Sequence, residues 1–155
     1  MLEAMSPNAR EDYFLLRERP AAGAAGAKVD WALQGKHDVD LEHALVAAGG
    51  LRLAGPDPTG AGDVLPGFGD QREIELVVKA GFSPVEAIKV ATHNGVVYPG
   101  REKQIRSIAP GKNADLVLIK GDPSKQVSDV ENVEIVFKDG TGYDSKKLLE
   151  SVGGL

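Results

Sequence analysis

Asp57 is the residue whose type and place best suit chemistry. It stands just past the short apolar run Leu51-Arg52-Leu53-Ala54 and opens a loop, residues 56–69, that is dense in proline and glycine. A carboxylate there can act as a base or ligand, or can accept backbone N–H groups as a turn former. Loops of that length in compact proteins are commonly functional. The same loop holds a second acid, Asp63, behind Gly60 and Gly62. Three histidines complete the set of familiar catalytic side chains: His37, His43 and His93. His37 and His43 lie among Asp38, Asp40 and Glu42 and read as surface residues rather than ligands. His93 reads as a capping or packing residue. Glu73 and Glu75 fall on different faces of a helix, so they do not form a two-carboxylate site.

Composition narrows the classes. There is no cysteine, which excludes disulfides, zinc-thiolate sites and thiol nucleophiles and leaves the redox compartment open. The net charge of -5 is spread without a basic cluster, which argues against nucleic acid. No apolar run approaches the roughly 18 residues of a membrane span, and the first ten residues contain no signal-peptide core. The localisation is otherwise unknown.

The elements that must hold Asp57 follow from local signals. Ser6-Pro7 predicts a helix over 7–19, and the Ala/Gly stretch 20–27 a linker. Residues 40–48 predict a short helix stopped by Gly49-Gly50, and 51–55 a strand. Asp70 and Glu73 have capping-box spacing for a helix over 70–80, with Ile74, Val77 and Val78 on one stripe ending at Gly81. Ser83-Pro84-Val85-Glu86 repeats that signal for a helix over 84–97. Then the pattern turns extended: strands over 105–108, over 114–120 as a mostly buried strand, and over 133–138, where Val133, Ile135 and Phe137 alternate with Glu134, Val136 and Lys138 before an Asp139-Gly140 hairpin turn. Asp115, Asp122 and Asp139 read as partners of backbone groups and turn formers. A short helix over 144–152, with Leu148 and Leu149 as its contact, closes the chain.

The succession of local sequences is specific. It runs from Ala48-Gly49-Gly50-Leu51 into Ala54-Gly55-Pro56-Asp57, then Gly67-Phe68-Gly69-Asp70, Ala80-Gly81-Phe82-Ser83-Pro84 and Ala91-Thr92-His93-Asn94-Gly95. It ends with Ile108-Ala109-Pro110-Gly111-Lys112-Asn113-Ala114-Asp115-Leu116-Val117 and Val136-Phe137-Lys138-Asp139-Gly140. This resembles the amidohydrolase superfamily, in its imidazolonepropionase-like branch. The resemblance implies an α/β fold: the C-terminal fragment of a (β/α)8 TIM-type barrel, residues 1–100, followed by strands of a small β-sandwich, residues 101–155. A whole barrel takes about 250 residues, more than the 155 here.

The resemblance also implies that residues 51–55 are the last barrel strand and that Asp57 binds metal and serves as general base toward a metal-activated water. Where the family has Thr or Ser before that aspartate, this chain has Pro56. The reaction implied is hydrolysis of a C–N bond in an amide, cyclic amide or peptide-like substrate, with zinc or another divalent metal. The family's His-x-His pair and other ligands have no counterpart here, so the chain alone is expected to be inactive and to retain no metal. Its expected partners are the small-molecule substrate and the missing N-terminal half, or a second copy. Two alternatives stand beside this. Asp57-Pro58-Thr59-Gly60-Ala61-Gly62-Asp63 resembles the signature of ribokinase-like sugar kinases, in which Asp63 would be the base. The chain could also be a non-catalytic interaction piece.

Overall fold

A computed structural model describes residues 5–18, 30–57, 64–65, 67–101, 103–105 and 107–152. The linker expected over 20–27 and the Asp63 end of the loop lie outside these residues.

Helix α1 (Pro7–Glu18) starts as its sequence dictates, with the Ala9 N–H donating to Ser6 Oγ at 3.3 Å. Helix α2 (Trp31–Ala47) begins nine residues before the expected start at residue 40. Asp30 explains the difference: its side chain accepts from the Ala32 and Leu33 N–H groups, both at 3.1 Å, and outweighs Gly35 within the helix. Surface pairs support the exposed turns, Lys36 with Asp40 and Gln34 with Asp38.

Helix α3 (Phe68–Lys79) corrects a second expectation. Its N-cap is Gly67, at φ 82°, and Asp70 lies inside the first turn instead of capping it. Gly69 is the reason the start can sit so early. A Cβ there would fall 2.5 Å from Val64 Cγ1 and 3.2 Å from Pro56 Cβ, so only glycine admits this approach. The stripe Ile74, Val77 and Val78 packs as its spacing requires, around a core of Val77, Phe82 and Ala87. Helix α4 (Pro84–Lys89) carries the full reciprocal cap: Ser83 Oγ accepts from Glu86 N–H and Glu86 Oε2 accepts from Ser83 N–H at 2.8 Å. The helix then widens into a π turn over Val90–Asn94 before a last turn, α5 (Gly95–Val97).

The described residues of 105–108 are not a strand. The Ile105 N–H bonds back to the Arg101 carbonyl at 3.2 Å, so this backbone is used in a local turn. Three strands form one antiparallel sheet in sequence order: β1 (Leu116–Ile119), β2 (Val133–Lys138) and β3 (Thr141–Asp144). Leu116 faces Phe137, and Lys138 faces Thr141 across a two-residue turn in which Asp139 (φ 49°) and Gly140 (φ 82°) are both left-handed. Val133, Ile135 and Phe137 alternate as expected, but β1 is not the buried strand its composition suggested: Val117 and Leu118 are exposed. Asp115 holds the sheet's end as read from sequence, accepting from Asp139 N–H and from Lys138 Nζ, each at 2.8 Å. Helix α6 (Ser145–Val152) is capped by Asp144, which accepts from Lys147 N–H at 3.0 Å.

Candidate functional site

Residues 51–55 belong to no hydrogen-bonded ladder among the described residues, in contrast to the strand expected there. A strand exists only beside a neighbour that accepts its N–H groups, and none adjoins this segment among the described residues. Its side chains nevertheless alternate as those of a strand do. Arg52 is buried and Ala54 and Pro56 are half-covered, while Leu51, Leu53, Gly55 and Asp57 are exposed. One face is covered by helices; the other carries Leu51, Leu53 and, at its end, Asp57.

The covered face is fastened at Arg52. Its Nε and Nη2 donate to Glu42 Oε2 at 3.0 and 2.8 Å. Its guanidinium lies 5.3 Å from the centre of the Phe82 ring, and its Nη1 is buried with no hydrogen-bond partner among the described residues. Phe82 is itself stacked on His43, with ring centres 4.3 Å apart and planes 6° from parallel. His43 Nε2 donates to the Ala80 carbonyl at 2.7 Å. His43 is exposed as read from sequence, yet its ring joins α2 to the turn between α3 and α4. Sequence spacing gave no hint of this, because the contact spans 37 positions. From the π turn, Asn94 Nδ2 donates to the Arg52 carbonyl at 2.8 Å.

Asp57 lies beyond this anchor, where Pro56 meets the N-terminal turn of α3 at Gly69. Next to it a recess of about 220 Å³ is lined by Ala54, Pro56, Asp70, Glu73, Ile74, Ala91 and Thr92. Glu73 faces this recess while Glu75 pairs with Arg72, so the two glutamates do diverge. A larger recess of about 540 Å³, between Thr92, Ile105, Pro110 and Leu116, involves none of residues 51–57.

The histidines are not gathered around Asp57. His37 is exposed on α2, His43 is engaged with Phe82 and Ala80, and His93 Nδ1 lies 3.3 Å from Asn94 Oδ1. Among the described residues no three His, Cys, Asp or Glu side chains converge to hold a metal ion. A hydrolytic metal needs about three protein ligands, so these residues do not by themselves fit one. Of the kinase-like signature only Asp57 is among the described residues; the next described helix, α3, starts at Phe68, five residues beyond Asp63. No helix among the described residues is long and apolar enough to cross a membrane.

Comparison with known proteins gives a consistent result. The model of the amidohydrolase family matches residues 52–142. Adenine deaminase 2 of Jannaschia sp. (strain CCS1) is 33% identical over 86 residues, 55% of this chain and 14% of its own. A crystal structure of an amidohydrolase matches with TM-score 0.59 at 26% identity, over 71% of this chain and 26% of that one. A structure described as a prolidase from Bifidobacterium longum matches with TM-score 0.57 at 26% identity, over 69% of this chain and 27% of that one. The chain thus spans about a seventh of the curated relative and about a quarter of each solved structure.

Proposed function

The chain belongs to the amidohydrolase family, and on that premise we propose that it forms the C-terminal part of a (β/α)8-barrel hydrolase of C–N bonds, with Asp57 as general base. One observation carries the proposal: residues 51–57 alternate like a barrel strand, with Asp57 at the C-terminal end of the uncovered, apolar face. Catalytic groups of such barrels stand at the C-terminal ends of strands. The apolar face of Leu51 and Leu53 then looks into the barrel, where side chains from other strands would cover it.

In this reading Asp57 takes a proton from water as the water oxygen bonds to the carbonyl carbon of an amide or cyclic amide. The proton then passes from Asp57 to the departing nitrogen as the C–N bond breaks, and the carboxylate is restored. A divalent metal of the kind the family uses would supply Lewis-acid activation of that water; Asp57 would be this chain's ligand to it, and the others would come from other β/α units.

The test supplies those units, as upstream polypeptide of the same gene or as a separately made N-terminal half, and measures turnover of dipeptides and cyclic amides. Asp57→Asn should lower kcat by about 10²-fold or more with the circular dichroism spectrum unchanged. Undiminished turnover in that variant would refute the assignment. Hydrolysis and stoichiometric metal retention by the 155-residue chain alone would overturn its reading as part of a larger barrel.

A further inference from the structure

We infer that Asn94 is a positioning residue, which fixes the placement of the Asp57 carboxylate through the Arg52 carbonyl; the inference rests on Asp57 being the base. Residues 51–57 have no ladder among the described residues to set their register, so their placement depends on ties to the helices. Pro56 packs against Gly69 at the start of α3, and among the described residues two hydrogen-bonded ties hold Arg52: its side chain is held by Glu42, and its carbonyl by Asn94 across 42 positions of sequence.

Asn94 is an unusual residue to bury in a helix. Its amide competes for backbone groups and weakens helical structure, and at 9% exposure it is one of two buried polar residues among those described. The helix also departs from α geometry at this point. Over Val90–Asn94 it widens to a π turn, a feature that recurs at functional sites. Thr92 Oγ1 donates to the Ile88 carbonyl at 2.7 Å, the acceptor that a regular α turn assigns to the Thr92 N–H. At the end of this turn the Asn94 amide reaches Arg52 through Nδ2, while its Oδ1 lies 3.3 Å from His93 Nδ1. From Arg52 the extended backbone runs five residues to Asp57, so a shift at the anchor is carried directly to the carboxylate.

The chain has no cysteine, so introduced cysteine pairs take spin labels only where they are placed. One pair, Asp57→Cys with Lys79→Cys, reports the segment relative to α3. A control pair, Lys79→Cys with Lys89→Cys, reports α3 relative to α4. With Asn94 intact, both distance distributions should be narrow. Asn94→Ala should make the first about twofold wider and leave the control unchanged, as expected of a local release. Asn94→Asp should recover the narrow distribution at about pH 5, where a buried carboxyl facing a carbonyl is protonated and can donate, and lose it at about pH 8, where it is ionised. An unchanged first pair in Asn94→Ala, equal broadening of both pairs, or an Asn94→Asp response without pH dependence would each overturn the inference. These distances report placement and not turnover, so they stand apart from the kinetic test of Asp57.

Discussion

Replacing Glu42 by Ala removes the partner of a nearly buried cation. Arg52 keeps only 9% of its side chain exposed and Glu42 keeps 36%, so loss of either partner has unequal consequences. Glu42→Ala strands the guanidinium with its Nη1 already unpartnered among the described residues, and should cost about 3 kcal/mol. Arg52→Met removes the buried charge and leaves a side chain that fills similar space against Phe82. Glu42 can then turn to water, and the cost should be about 1 kcal/mol, mostly the lost cation–π contact. The double variant should sit near Arg52→Met alone, well short of the sum, because once the cation is gone its partner has little left to do. Urea unfolding followed by circular dichroism reads this directly. With a denaturant slope of about 1.5–2 kcal/mol/M, Glu42→Ala should move the midpoint down by roughly 1.5–2 M. Glu42→Ala proving no more costly than Arg52→Met, or simple additivity in the double variant, would refute the reasoning.

Two further outcomes follow from local geometry. Glycine to alanine should have opposite signs at two helical sites: Gly95 has open space and φ −62°, so Gly95→Ala should stabilise by about 0.5–1 kcal/mol, whereas Gly69→Ala drives a methyl into Val64 and Pro56 and should destabilise by about 1–3 kcal/mol; thermal unfolding of both variants checks the pair. Asp122, hydrogen-bonded first by Lys125 and then by Ser124, has its carboxyl pushed down to about 2. Because its folded value lies below the ordinary one, its contribution is complete above about pH 4 and is lost as pH falls through about 2; carboxyl-carbon NMR titration should show that low midpoint, and Lys125→Met should raise it.

How far the sequence reveals this molecule depends on how local each signal is. Ser83 with Glu86, Asp139 with Gly140, and the alternation of Val133, Ile135 and Phe137 are decided by neighbours within a few residues, and the structure follows them. Helix α2 was underestimated because Gly35 and an unpatterned apolar distribution obscured a start that Asp30 alone defines. Residues 105–108 were read as extended from composition, although the Ile105 N–H is taken up in a turn with Arg101. At the site, Asp57 stood out through its neighbours in sequence. Arg52, His43 and Asn94, which determine how the segment beneath it sits, were not visible as such, because their partners lie 10 to 42 positions away. The π turn has no sequence signature beyond Thr92 and Asn94 themselves.

The sparse covering of this molecule has a thermal side. Among the described residues only Leu65, Val77, Phe82, Ala87, Val90 and Val130 are buried apolar groups, while Leu41, Val85, Val117 and Leu53 remain between 38% and 70% exposed. The heat capacity gained on unfolding comes chiefly from apolar surface newly wetted. A chain whose apolar side chains are already wet gains little of it, so its stability should vary only shallowly with temperature. Were the chain to pack against further barrel strands, as proposed, that curve should steepen, and the complex should show a marked temperature optimum that the chain alone lacks.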